Sequence, residues 1–254
     1  MDWRLRKQII YGLIIFLIFF SIFLFIFFKF RKPAIATCFD GKKNQGEEGI
    51  DCGGPCPPCE IKYAEPLKIY EAEYVDYPAI LNTIDIIGLL ENPNKNLSLK
   101  RLNYYFEIYD FKSQRVKEKT PLRNVSLGAE EKKYLLEINY PRPRFPIGKI
   151  KLVVIDPKPE DWIKKEKEEL PISYFNERLL REGNKLKMRL SLVNSSFKTY
   201  DVEIIVFLYD KNKKLIGVGK TKTTLRGQEK SQDAYVFFPA LLAEPSAFEI
   251  HIQQ

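Results

Sequence analysis

The chain has 254 residues, 45% of them hydrophobic, with 41 Lys plus Arg against 33 Asp plus Glu and a formal charge of +8. The first 32 residues hold six bases (Arg4, Arg6, Lys7, Lys29, Arg31, Lys32), one acid (Asp2) and eight of the 18 phenylalanines, leaving 35 basic and 32 acidic groups elsewhere. The excess therefore flanks an apolar segment, which argues against a dedicated nucleic-acid binder, while a single histidine, His251, removes His-based metal sites and most His-dependent nucleophilic chemistry.

Ile9 to Phe28 form 20 uncharged residues interrupted only by Gly12 and Ser21. As a helix this run covers roughly 30 Å, the thickness of a hydrocarbon core. It is apolar on every side, unlike a helix buried along one face of a soluble domain. The expectation is a transmembrane helix over 9–28 behind a short cytoplasmic tail, 1–8. Ala34-Ile35-Ala36 has the small-x-small form of a signal-peptidase site, but the apolar run is longer than a usual signal core, and Lys29-Phe30-Arg31-Lys32 stands between the two. We therefore read an uncleaved anchor. Thr37 before Cys38 and the charged spacer also count against a lipoprotein box. Basic residues flank the helix three against three, so they do not orient it; the cysteines that follow place the bulk of the chain outside and the N-terminus in the cytoplasm.

All four cysteines, Cys38, Cys52, Cys56 and Cys59, fall within 22 residues rich in Gly and Pro. Such a segment holds no hydrophobic core, so covalent or metal staples must shape it. Two disulfides suit a segment just outside a membrane, and a four-cysteine zinc site suits a cytosolic one. Only Cys56 and Cys59 have knuckle spacing, which favours disulfides, with three possible connectivities. The string resembles a Cys-rich motif, C-x-D-G-x-x-N-x-x-E-x-x-x-D-C-G-G-x-C-x-x-C, of bacterial and archaeal surface proteins. The signature residues are Asp40, Gly41, Asn44, Glu47, Asp51, Gly53 and Gly54. The resemblance implies an exported spacer module over 33–62 and no reaction. Asp40, Asn44, Glu47 and Asp51 bear the oxygens a Ca²⁺ ion takes as ligands, although Lys42 and Gln45 break the EF-hand pattern. Turn formation through nearby backbone amides competes with that reading.

Beyond Ile61, short runs of Ile, Val, Leu, Tyr and Phe alternate with polar turns. Strands are expected at 67–75, 83–90, 100–110, 131–139, 148–155, 171–178, 185–193, 199–210, 214–224, 232–238 and 246–253. In Leu186-Lys187-Met188-Arg189-Leu190-Ser191-Leu192 every second residue is apolar, as a half-buried strand requires. The charged run after Trp162 reads as a solvated linker. Phe106-Glu107-Ile108-Tyr109-Asp110 and Val206-Phe207-Leu208-Tyr209-Asp210 lie 100 residues apart. Asn92 and Asn194 precede them, and Leu127-Gly128-Ala129-Glu130 and Leu225-Arg226-Gly227-Gln228 follow them. Two copies of one module account for this.

Each copy resembles the FxLYD type of immunoglobulin-like β-sandwich, although the second has Val206 where the motif has Phe and the first lacks a Gly-rich return strand. The expected fold is all-β, with sandwiches at 65–157 and 171–254 joined by a linker at 158–170. Alternation sends Phe106 and Ile108 inward, as it does Val206 and Leu208, while Asp110 and Asp210 bond amides of the following turn. That structural role is simpler than a catalytic Tyr-Asp pair.

His251 alternates with Ile250 and Ile252 and is expected to face solvent. Asn96, Asn124 and Asn194 begin glycosylation sequons. Phosphate loops, dinucleotide fingerprints and nucleophile elbows are absent from the sequence. The expectation is a non-enzymatic, membrane-anchored surface protein of the cell envelope that binds a protein or glycan, with no small-molecule substrate, no nucleic acid and no cofactor other than the candidate Ca²⁺. A structural subunit of a secretion or pilus-type assembly is the alternative.

Overall fold

The computed structural model describes residues 3–30, 38–77, 81–183, 185–227, 231–239, 241 and 243–254. The signal-peptidase-like and lipobox-like segment at 34–37 lies outside them. The chain divides into two compact units, residues 1–63 and 64–254.

In the first unit, helix α1 runs from Trp3 to Phe30. Its segment Ile9–Phe27 has a mean hydropathy of 3.0, and none of it is buried. Phe16 stacks near Phe20 and Phe23 near Phe27, the i,i+4 neighbours that helical spacing brings together. The same unit holds the cysteine module, which ends in a short helix α2, Cys59–Lys62.

The second unit is all-β and consists of two sandwiches. The first contains β1 (Lys68–Ile69), β2 (Glu73–Tyr77), β3 (Thr83–Glu91), β4 (Leu97–Asp110), β5 (Val116–Lys119), β6 (Arg123–Leu127), β7 (Lys132–Pro141), β8 (Ile147–Val154) and β9 (Trp162–Lys164). The second contains β10 (Ile172–Glu182), β11 (Lys185–Asn194), β12 (Tyr200–Tyr209), β13 (Leu215–Leu225), β14 (Gln232–Phe238) and β15 (Ala247–Gln253). In the first sandwich, β3 lies between β1/β2 and β7, facing a sheet in which β4 lies between β5/β6 and β8/β9. The second repeats the plan, with β11 between β10 and β14, and β12 between β13 and β15. All pairings are antiparallel.

Strands β5, β6 and β9 are additions to the sequence reading. The first two are short, and β5 is mostly charged. Trp162–Lys164, expected as part of the linker, pairs with Leu97–Leu99 on the end of β4 and so belongs to the first sandwich. Trp162 packs against that core, whose burial outweighs the charged run after it.

Alternation builds both cores. Leu102, Tyr104, Phe106 and Ile108 of β4 face Ile84, Ile86 and Leu90 of β3, while Val202, Ile204, Val206 and Leu208 of β12 face Leu186, Met188, Leu190 and Leu192 of β11. The repeated asparagines do equivalent work. Asn92 Nδ2 donates to the carbonyls of Leu97 and Gly128 at 2.7 and 2.8 Å, and Asn194 Nδ2 donates to Lys198, Leu225 and Arg226 at 2.7, 3.2 and 3.2 Å. Each ties its strand end to the start of the next long strand and to the end of a strand paired with it, β6 or β13, satisfying carbonyls that are otherwise costly to bury. The Asn194 side chain is thereby committed to the interior rather than presented as a glycan acceptor, whereas Asn96 and Asn124 are exposed.

A third apolar layer joins the sandwiches. Val75, Tyr77, Ile87 and Leu136, on the outer face of the β3 sheet, cluster with Ile205, Phe207 and Val218 on the outer face of the β12 sheet. Strands β3 and β12 are therefore buried on both faces, and the unit is a stack of four sheets. His251 belongs to this layer: its ring lies 4.7 Å from Tyr134 and 5.5 Å from Phe207. It differs from the expected solvent-facing residue because the outer face of its sheet is covered. Gln253 clamps the junction, its side-chain amide accepting from Tyr134 N–H at 3.0 Å and donating to Tyr134 O at 2.9 Å.

Within this layer lies Asp85, fully buried, with one oxygen accepting from Asn139 N–H at 2.7 Å. Its carboxyl lies beside the buried Tyr77 hydroxyl. Burial pushes the Asp85 pKa up from 3.8 to about 6, outweighing the Asn139 amide, the Tyr77 hydroxyl and the Lys220 charge. A raised carboxyl pKa means that the folded state holds its proton longer than the unfolded one. Its stabilising contribution is thus full below about pH 4 and declines as pH rises through about 6. Asp85→Asn keeps the acceptor for Asn139 and carries no charge. It should stabilise the fold at pH 7 by about 2–3 kcal/mol relative to wild type and bring the two proteins together near pH 4 in urea unfolding. Parallel pH profiles for the two proteins would contradict this.

Candidate binding surfaces

The cysteine module is closed by Cys38–Cys56 and Cys52–Cys59. Its sharpest turn needs glycine at two positions: Gly53 and Gly54 have φ of +78° and +60°, and a Cβ on Gly54 would lie 2.3 Å from the Gly46 carbonyl. The four oxygen-bearing residues hold the same loop. Asp51 Oδ1 accepts from the amides of Asp40 and Gly41 at 2.9 Å each. Asp40 accepts from the Lys42 amide at 2.9 Å and from Asn44 Nδ2 at 2.8 Å, and the Asn44 bond, followed by the Lys42 amide, lowers its pKa. Glu47 Oε2 accepts from the amides of Asn44 and Asp51 at 3.2 Å each. Cys38, Glu47 and Cys56 come together, but both sulfurs are in the disulfide and the 3.1 Å approach of Glu47 Oε1 to Cys56 Sγ is a contact without a proton. Most of the candidate Ca²⁺ oxygens are thus engaged with N–H groups of the loop itself, while Asn44 Oδ1 is buried without a hydrogen-bond partner among the described residues.

Asp110 and Asp210 stand at the ends of β4 and β12. Asp110 accepts from the amides of Lys112 and Ser113 at 3.2 and 3.3 Å and from the Ser113 hydroxyl at 2.7 Å, while Asp210 Oδ1 accepts from those of Asn212 and Lys214 at 2.8 and 2.9 Å. Both carboxylates organise the turn that follows. Tyr109 points its hydroxyl at Glu107, 2.9 Å away, and Tyr209 points its own at Glu249, 3.3 Å away.

Two further surfaces of the second unit gather charged side chains. A cleft of about 610 Å³ between the sandwiches is lined by Tyr104, Lys133, Glu203, Lys220 and Lys222. Its buried lysine is a structural element, since Lys133 Nζ donates to Ser126 O at 2.8 Å and pairs with Glu131 at 3.2 Å. Lys220 donates to Leu136 O across the junction at 3.3 Å.

The other surface is the outer face of the β4 sheet. One row across three strands reads Lys119, Glu107, Lys151, and the next reads Val116, Tyr109, Lys149. Lys119 lies 2.9 Å from Glu107 and holds that carboxyl below the usual range. The Lys119 ammonium also sits 5.0 Å from the Tyr105 ring, while those of Lys149 and Lys151 sit 4.9 and 5.4 Å from the Tyr109 ring. Such cation–π pairs draw the ammonium groups onto the tyrosine rings. Sequence reading did not see the face, because its lysines come from two strands, β5 and β8, that flank β4.

No family model matches the chain, and no curated protein matches it. Among solved structures, red sea bream transglutaminase aligns over 74% of this chain at 10% identity with a TM-score of 0.23, and the chain spans 29% of that structure's length. A likeness that weak carries no argument about fold or activity.

The connectivity is directly measurable. Partial reduction with stepwise alkylation, followed by fragmentation mass spectrometry, should label Cys38 together with Cys56 and Cys52 together with Cys59; joint labelling of Cys56 and Cys59 would contradict the structure.

Proposed function

We propose that this is a non-enzymatic, single-pass membrane protein with its N-terminus in the cytoplasm, whose β body is displayed in the cell envelope to bind a protein or glycan. The observation that carries the reading is the adjacency of a charge-free apolar helix and a module closed by two disulfides. Disulfides persist in oxidising compartments, which favours an extracytoplasmic module and, by continuity, an extracytoplasmic β body. The resemblance of residues 38–59 to a Cys-rich motif of surface proteins points the same way, as do the two repeated sandwiches with their FxLYD-like strands. The non-enzymatic reading draws on the use of polar groups: the acids and lysines described above satisfy turns, carbonyls and one another.

The alternative, a structural subunit of a secretion or pilus-type assembly, is favoured by the phenylalanine ladder along α1, which offers rings to neighbouring helices. Replacing 9–28 by an unrelated anchor separates the two: a display protein keeps partner binding, and a helix-packing subunit loses assembly.

Protease shaving of intact cells tests topology. Residues 64–254 should be digested from outside, and their survival until lysis would overturn the orientation.

A further inference from the structure

The two sandwiches share one plan, so their faces correspond. In the second, the outer face of the β12 sheet is docked on the first sandwich through Ile205, Phe207 and Val218. Pairing register puts Tyr105, Glu107 and Lys119 at the matching positions of the first, and Lys151 where Glu249 stands. A face that is apolar and covered in one copy is cationic and open in the other.

Its charge distribution decides what fits. Lys119, Lys149 and Lys151 are exposed, and the single acid among them, Glu107, is already engaged by Lys119 and Tyr109. At strand spacings, Lys119 and Lys151 are about 10 Å apart across the sheet and Lys149 and Lys151 about 7 Å apart along it. A folded protein partner would have to dehydrate the charged row at the centre, where protein interfaces are depleted of charge. An extended polyanion stays hydrated and meets several lysines at once, releasing counterions.

We propose that the outer face of the β4 sheet binds an extended acidic polysaccharide through Lys119, Lys149 and Lys151. This specifies the partner within the display reading above and rests on it for where the ligand is met.

The full-length chain in nanodiscs of zwitterionic lipid tests it, with polyuronate oligosaccharides as probe and a neutral glucan of equal length, polyglutamate and vesicles containing phosphatidylglycerol as comparisons. Polyuronate should bind with an affinity that falls as salt rises, and Lys149→Glu with Lys151→Glu should weaken it at least tenfold at unchanged melting temperature. Lys211→Glu with Lys214→Glu, the same charge change in the β12–β13 turn, should leave it within twofold. Absence of polyuronate binding, equal loss in both variants, or tighter binding of polyglutamate or anionic vesicles would overturn the proposal. Shaving reads orientation separately, so a cytoplasmic body and a face that ignores polyuronate are distinguishable failures.

Discussion

Ile205, Phe207 and Val218 press on Val75, Tyr77, Ile87 and Leu136, and this contact gives the β unit its form. Either sandwich alone would expose a central strand apolar on both faces, a liability in water. Joined, they cover both faces of β3 and β12 along most of their length and enclose polar groups that have meaning only there. The Gln253 amide replaces a strand partner for Tyr134, Lys220 reaches a carbonyl of the other sandwich, and Asp85 is held away from water at a cost that grows as it ionises.

The contact is heterologous: it joins the β3-type sheet of one copy to the β12-type sheet of the other. Repeated with the same surfaces, such a contact would extend without limit. The outer faces of the stack have diverged instead. Tyr105, Glu107 and Lys119 occupy one, while Arg189 and Tyr235 stand on the other where the first copy has Ile87 and Leu136. Terminal repeats of stacked proteins carry polar outer faces for the same reason. Charge on the β4 face both ends the stack and leaves a surface for something other than another sandwich.

Much of this was legible in the sequence, and the rest was hidden for definable reasons. Alternation in Leu186–Leu192 and in Leu102–Ile108 marks strands with one buried face, and Asn92 and Asn194 mark the repeat at the positions where they tie strand to turn. The cysteine spacing pointed to disulfides and left three pairings open, since connectivity is set in space. The junction had a signal that alternation obscured. Ile204-Ile205-Val206-Phe207-Leu208 is continuously apolar, as is Ile84 to Leu90 apart from Asp85 and Gly88, the pattern of a strand covered on both sides. Strands β5, β6 and β9 are too short for a clear alternation and owe their existence to pairing with β4, which no local pattern reveals. The lysine–tyrosine face joins residues more than forty positions apart and becomes visible only in register.

Native-state hydrogen exchange on the full-length protein tests the joined stack most directly. If the junction makes one cooperative unit, amides of β4 in the first sandwich and of β11 in the second will open together, with the same free energy and the same denaturant dependence. Two distinct opening free energies, with one sandwich exchanging while the other stays protected, would contradict it.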